Sequence, residues 1–146
     1  MTQVEFDTYP FRISEQDGKK YIYDFVRKKE VQLTPEEWVR QHILHYLVQT
    51  LHYPTSLIAV ERGIDVNGQK RRFDIVVFNR QGKAHLLVEC KAPGQPVNRD
   101  VLMQMAAYNL PLQANYFWLS NGADNYCCQM LLPLTVLNRA TDIAPL

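Results

Sequence analysis

The stretch "FDIVVFNRQGKAHLLVECKAPG", Phe73 to Gly94, decides the fold of this chain. Two apolar runs flank the polar segment "NRQGK", so the stretch reads as two antiparallel strands joined by a turn. With the turn centred between Gln81 and Gly82, Phe78 faces His85, Val76 faces Leu87 and Asp74 faces Glu89. Residues two apart share a face of a strand. Asp74, Glu89 and Lys91 therefore fall on one face, and the apolar Ile75, Val77, Leu86, Val88 and Cys90 on the other. Like charges placed directly opposite each other destabilise a sheet. Three arrangements relieve the repulsion: Lys91 pairs with the acids, one carboxyl stays protonated, or a cation bridges them. Carboxylate oxygens at cross-strand separation suit a hard divalent ion such as Mg2+. From these strands alone, a Lys91 salt bridge with no further role competes equally with a metal site.

The helices on either side bear on that choice. In "LTPEEWVRQHILHYLVQTLHYP", Thr34 is a good N-cap and Pro35 suits the first helical position. Glu37 lies three residues after Thr34, which completes a capping box, and the helix is expected to end near Leu51. At about 100° per residue, the apolar positions Val39, Ile43, Tyr46, Leu47 and Leu51 centre on Glu36, with Arg40 nearby and Glu37 to the side. An acid in a core-facing stripe costs free energy unless it is paired. Arg40, one turn on, could pair with Glu36. Alternatively, Glu36 points at the same cluster as Asp74 and Glu89. In the second helix, "RDVLMQMAAYNL", Asn98 is the cap, and Gln104 and Tyr108 share a face with Val101 and Met105. They could be satisfied polar groups in a core, or could point toward a phosphate backbone or orient the acidic site.

The remaining segments set the order of elements. "FRISEQDGKKYIYDFV" reads as a β-hairpin on Asp17-Gly18, and "RKKEVQ" as a charged connector. "LIAVERGIDVNGQKRRFDIVVF" reads as strand, Asn67-Gly68 turn, strand, and "AHLLVECK" as a third strand. "APGQPV" is a loop, "ANYFWLSNG" a fourth strand, and "NYCCQMLLPLTVL" an irregular or edge strand interrupted by Pro133. The order is a hairpin, then α-β-β-β-α-β, then a last strand: an α/β fold with a mixed central sheet flanked by helices.

A chain of 146 residues, 47% of them hydrophobic, can bury one substantial core. Its net charge of +1 excludes a generally basic, non-specific nucleic-acid surface and leaves only local contacts. The cysteines are Cys90, Cys127 and Cys128, without a C-x-x-C, which indicates neither a disulfide framework nor a zinc knuckle. No secretory signal and no membrane-length apolar run is present, so the expected location is the cytoplasm, with no membrane partner.

Collected together, these residues resemble a known family. Asp74, with Glu89-Cys90-Lys91 fifteen residues further on, resembles the D…E-x-K signature of the PD-(D/E)XK nuclease superfamily. The segments "PEEWVRQHILHYLV", "YPTSLIAVERGI", "RRFDIVVF", "LLVECKAP" and "LSNG", with the Q-x-x-x-Y of Gln104 and Tyr108, are similar to the N-terminal nuclease domain of type I restriction enzyme R subunits. The similarity runs from Leu33 to Gly122. A bare D…E-x-K is weakly specific, but the ordered set of motifs is strong.

The resemblance implies a restriction-endonuclease-like α-β-β-β-α-β core within a nuclease-like domain over 33–146, with residues 1–32 as an N-terminal hairpin extension. It implies Mg2+ or Mn2+ held by Glu36, Asp74 and Glu89, Lys91 as the catalytic lysine, and Gln104 and Tyr108 as the supporting motif. Lys70, Arg71 and Arg72, just ahead of Asp74, could add phosphate contacts, although a solvated turn explains much of that run. The implied substrate is DNA, and the implied reaction is phosphodiester hydrolysis, alone, as a homodimer, or with a separate motor or specificity protein. Two departures stand out. No G-x-x-x-x-G-K-[ST] loop is present, so an ATP-driven motor is not expected in these residues, and Phe73 replaces the proline of the superfamily name. The competing readings are a non-catalytic nucleic-acid-binding or partner-docking module on the same scaffold, and a structural protein whose acids form internal salt bridges.

Overall fold

The computed structural model describes residues 1–146. Its elements are β1 (Ile13–Gln16), β2 (Lys19–Asp24), β3 (Lys29–Gln32), α1 (Pro35–Gln49), β4 (Ile58–Val66), β5 (Gln69–Phe78), β6 (Ala84–Cys90), α2 (Arg99–Asn109), β7 (Tyr116–Ser120), β8 (Asn125–Gln129) and β9 (Thr135–Val136). The strands form a three-stranded sheet, β1-β2-β3, and a six-stranded sheet in sequential order from β4 to β9. Only β6 and β7 pair in parallel, and α2 supplies the crossover between them. The α/β fold with a mixed sheet is as the sequence implies.

Each helix covers one face of the large sheet. Val39, Ile43, Tyr46 and Leu47 of α1 pack on Ile75, Val77, Leu86, Val88, Cys90 and Trp118. Leu102 and Ala106 of α2 pack on the opposite face, against Phe73, Val76, Leu87, Phe117 and Leu119. Phe73 and Ile75 would share a face in a regular strand, yet they serve opposite cores. The break falls at Asp74. Pairing of β4 with β5 runs from Val60–Ile75 to Arg62–Phe73 and omits the Glu61–Asp74 pair between them. Glu61 there has a left-handed φ of 52°. The sheet is thus distorted where Asp74 emerges, which turns its carboxylate toward α1.

The hairpin register holds through Val77–Leu86 and then departs from expectation. Phe78 pairs with Ala84 rather than His85. The Asn79 side chain accepts from the Gln81 and Lys83 amides, closing a turn that leaves His85 as the extra residue. His85 is buried at this far end, between Tyr53, Asn115 and the Ala144 carbonyl.

Two other expectations are corrected. The "RKKEVQ" connector is not simply a link, since Lys29–Gln32 pairs with β2 and extends the hairpin to three strands. The final segment is two strands, of which β8 lies inside the sheet between β7 and β9. In both cases a tertiary partner supplies the pairing that local sequence leaves undecided. The first residues are stitched to the last strands: the Thr2 hydroxyl accepts from the Cys127 amide and donates to the Leu137 carbonyl, each at 2.8 Å.

Candidate active site

Asp74 and Glu89 do meet. The Asp74 amide donates to Glu89 Oε1 at 3.2 Å, and the Cys90 amide donates to Asp74 Oδ2 at 2.7 Å. The other Asp74 oxygen, Oδ1, accepts from Arg40 Nη2 at 3.0 Å. The two acids are therefore treated differently. Asp74 has a backbone donor and a guanidinium, while Glu89 has one backbone donor. Burial, and then the adjacent Asp74 carboxylate, push the Glu89 pKa up to about 7, against smaller lowering effects of the Asp74 amide and Lys91.

Lys91 continues past the end of β6, its amide donating to the Ser120 carbonyl at 2.7 Å. It takes part in none of the ion pairs of the structure. The salt bridge that the strands alone leave open is thus made by Arg40 in place of Lys91. The Lys91 ammonium is close enough to favour the ionised form of Glu89, yet it is not tied to it.

Glu36 is not brought into ligand contact with the pair. Its side chain is 47% exposed and lies 3.7 Å from Arg40 Nη2. No three His, Cys, Asp or Glu side chains are grouped closely enough to hold a metal together. The buried acid of the first turn is instead Glu37, which the wheel assigns to the flank. The flank of α1 is covered by the N-terminal sheet, a surface that the helix's own periodicity cannot reveal. The Thr34 hydroxyl accepts from the Glu37 amide as expected of a cap. The return half of the capping box is missing, because the Glu37 carboxylate accepts from Arg27, Arg40 and Gln41.

These contacts form a continuous charged chain. Asp24, fully buried, accepts from the amides of Val26 and Arg27, from Arg27 Nε and from Gln41. Burial opposes its ionisation, but the Arg27 amide and guanidinium hold its carboxyl below the usual range. Arg27 bonds Glu37, Glu37 bonds Arg40, and Arg40 bonds Asp74. Burial disfavours the Arg40 charge, yet Glu37 and Asp74 hold its pKa above the ordinary arginine value. Glu61 lies 3.5 Å from Arg40, 3.6 Å from Arg27 and 3.3 Å from Arg72. Asp24, Arg27, Glu37, Gln41 and Glu61 are site residues that sequence reasoning does not find. The one signal for them is the pair of acids beside Arg40 in the first turn of α1, and the wheel directs it to Glu36.

On the α2 side, Glu89 shares a groove with Lys70, Arg71, Arg72, Gln104 and Tyr108. Gln104 and Tyr108 are exposed rather than held in a core, and Tyr108 is 62% accessible. The Arg71 guanidinium lies over the Tyr108 ring, 3.9 Å from its centroid, and donates to the Tyr108 carbonyl and to Asn109 Oδ1. Val101 and Met105 pack against the core beneath. Lys70 is exposed and unpaired by any carboxylate, while Arg72 is engaged with Glu61.

With this geometry in place, the chain can be set beside known proteins. The family described as type I restriction enzyme R protein N terminus (HSDR_N) matches residues 35–135. The chain belongs to this family. A comparison with curated proteins gives no match. The matched segment of this R protein N-terminal domain contains Glu36, Arg40, Asp74, Glu89, Lys91, Gln104 and Tyr108. It does not reach the N-terminal sheet, which supplies Asp24 and Arg27 to the charged chain.

The donor set fits a hard divalent cation. Mg2+ is commonly held by one or two carboxylates with water or phosphate completing its shell. Asp74 and Glu89 provide such a pair, and Glu89 takes part in no ion pair of its own. A three-carboxylate cage including Glu36 is not formed.

Proposed function

We propose that this domain is a metal-dependent nuclease of the PD-(D/E)XK type that hydrolyses DNA phosphodiester bonds. The observation that carries the reading is the end of the β5–β6 hairpin. The Glu89 carboxylate accepts there from the amide of Asp74, whose own carboxylate is held by Arg40, and two residues beyond Glu89 stands a lysine free of ion pairs. Asp74 and Glu89 would hold Mg2+ or Mn2+. When bound, such a cation offsets phosphate charge and lowers the pKa of its water. Lys91 has no structural ion pair to break, so its ammonium is available to steady the negative charge that grows at the phosphate. Arg71, Gln104 and Tyr108 line the groove beside Glu89 and would position the backbone of the substrate.

Family membership supports a restriction-enzyme context, with DNA and other subunits of such an enzyme as partners. Purified protein should cut single-stranded, duplex or branched DNA with Mg2+ or Mn2+, and Asp74→Ala, Glu89→Ala and Lys91→Ala should each abolish cutting. A folded, metal-loaded protein that cuts none of these DNAs would overturn the reading. One observation favours a second reading, a DNA-binding or docking module without catalysis: both Asp74 oxygens are already bonded within the protein. On that reading Asp74→Ala would leave DNA binding and biological activity intact.

A further inference from the structure

Arg40 is 5% exposed, and its guanidinium reaches four carboxylates. Nη1 bonds Glu37 at 3.0 Å, and that carboxylate is fixed in turn by Arg27 and Gln41. This end of the guanidinium is anchored. Nη2 has a choice. It now bonds Asp74 Oδ1 at 3.0 Å, and Glu36 Oε1 waits at 3.7 Å on a half-exposed side chain. Closing Glu36 to hydrogen-bond distance needs a shift of about 0.8 Å, which a surface carboxylate makes by changing rotamer.

We infer that Arg40 is the resident counter-ion of Asp74, and that a divalent cation at Asp74 and Glu89 displaces its Nη2 from Asp74 onto Glu36. The inference rests on the reading that this pair binds a cation. Without the transfer, a guanidinium and a divalent ion would compete for the same oxygen. With it, Nη1 stays on Glu37 and Nη2 also keeps a carboxylate partner, so neither end of the buried guanidinium loses its charged acceptor, a costly loss. Arg40 is thereby a positioning residue. It holds Asp74 ready before the cation arrives, and it sets how tightly the cation binds. Glu36 acts through Arg40 and is not a ligand, which accounts for an acid that lies near the pair without joining it.

The test is Mn2+ affinity, measured by titration calorimetry and by the electron paramagnetic resonance of free Mn2+, in wild type, R40Q, E36Q and the double variant. R40Q should bind Mn2+ more tightly, by on the order of tenfold, because a competing positive charge is gone. A role confined to packing would leave the affinity unchanged or weaken it. E36Q should weaken binding several-fold in wild type and lose most of that effect in the R40Q background, since Glu36 then has nothing to receive. Wild type that binds no Mn2+ overturns the cation reading and this inference with it. Mn2+ binding that R40Q fails to tighten, or an E36Q effect of equal size in both backgrounds, overturns this inference alone. Should R40Q not fold, a crystal structure of the wild type with Mn2+ decides: the guanidinium on Glu36 supports the inference, and the guanidinium still on Asp74 refutes it.

Discussion

Glu89→Gln should make the metal-free protein more stable, and by an amount that depends on pH. The Glu89 carboxyl has its pKa raised from 4.5 to about 7 by burial and by Asp74. A tenfold difference in proton affinity between folded and unfolded chains corresponds to about 1.36 kcal/mol, so ionised Glu89 costs the native state about 3 kcal/mol. Near pH 4 the group is protonated in both folded and unfolded chains, and the cost is absent. As pH rises through the interval from 4.5 to about 7, the unfolded chain ionises first and stability falls. Above about 7 both states are ionised and the full cost remains. The amide of Glu89→Gln does not titrate, and its oxygen can still accept from the Asp74 amide. The variant should therefore match wild type near pH 4 and exceed it by about 3 kcal/mol near pH 8, a rise in Tm of roughly 6–12 °C. Urea denaturation and calorimetry in a chelator, at several pH values, measure this directly. Added Mn2+ should narrow the gap, because the cation relieves wild type and has less to offer the amide. A variant no more stable than wild type near pH 8, or an offset of the same size at every pH, would refute the reasoning that Glu89 is a partly buried carboxylate under repulsion.

Asp74→Asn should act in the opposite direction, costing about 1.5–3 kcal/mol in the same denaturation assay, because buried Arg40 loses one charged hydrogen-bond partner and keeps Glu37. Lys91→Ala should abolish cleavage in a gel assay while shifting stability by no more than about 0.5 kcal/mol, since no ion pair is lost. A large loss of stability would assign Lys91 a structural role. Arg71→Ala should weaken DNA binding and reduce the slope of log affinity against log salt by about 1, as read by fluorescence anisotropy across a salt series. An unchanged slope would place the phosphate contact elsewhere.

What is legible in the sequence is mostly what neighbouring residues decide among themselves. Thr34 and Asn98 cap α1 and α2 through bonds to amides three residues away, and the Asn67-Gly68 turn fixes β4 against β5. The register that brings Asp74 toward Glu89 follows from alternation; it holds from Ile75–Val88 to Val77–Leu86 and fails past Val77, where the Asn79 side chain reshapes the turn. What is not legible depends on surfaces distant in sequence. The "RKKEVQ" segment is a strand because β2 lies alongside it. Glu37 is buried rather than Glu36 because α1 has a second covered side, and the wheel registers only apolar positions. Gln41 and Arg40 are buried on that same side, where a hydrophobic stripe has no reason to extend. Arg40 itself stands out in the sequence, but as the partner of Glu36. Its closest bonds go to Glu37 and, across thirty-four residues, to Asp74.

The hairpin admits three ways to relieve two opposed acids, and the structure takes two of them at once. Asp74 receives a cation, Arg40, where the strands alone offered Lys91. Glu89 is left to protonation, with a pKa of about 7. This division asks nothing of Lys91, which, like Glu89, takes part in no ion pair. Lys91, just past the end of β6, is the cation nearest to Glu89 in sequence. The domain instead brings in an arginine from α1 and secures it through a chain of side chains that ends at the fully buried Asp24. That arrangement stabilises the fold through Asp74 and leaves Glu89 short of positive charge beside an uncommitted ammonium. Such a site is held rigid on one side and unsatisfied on the other, which is what the proposed binding of a cation and a phosphate would require.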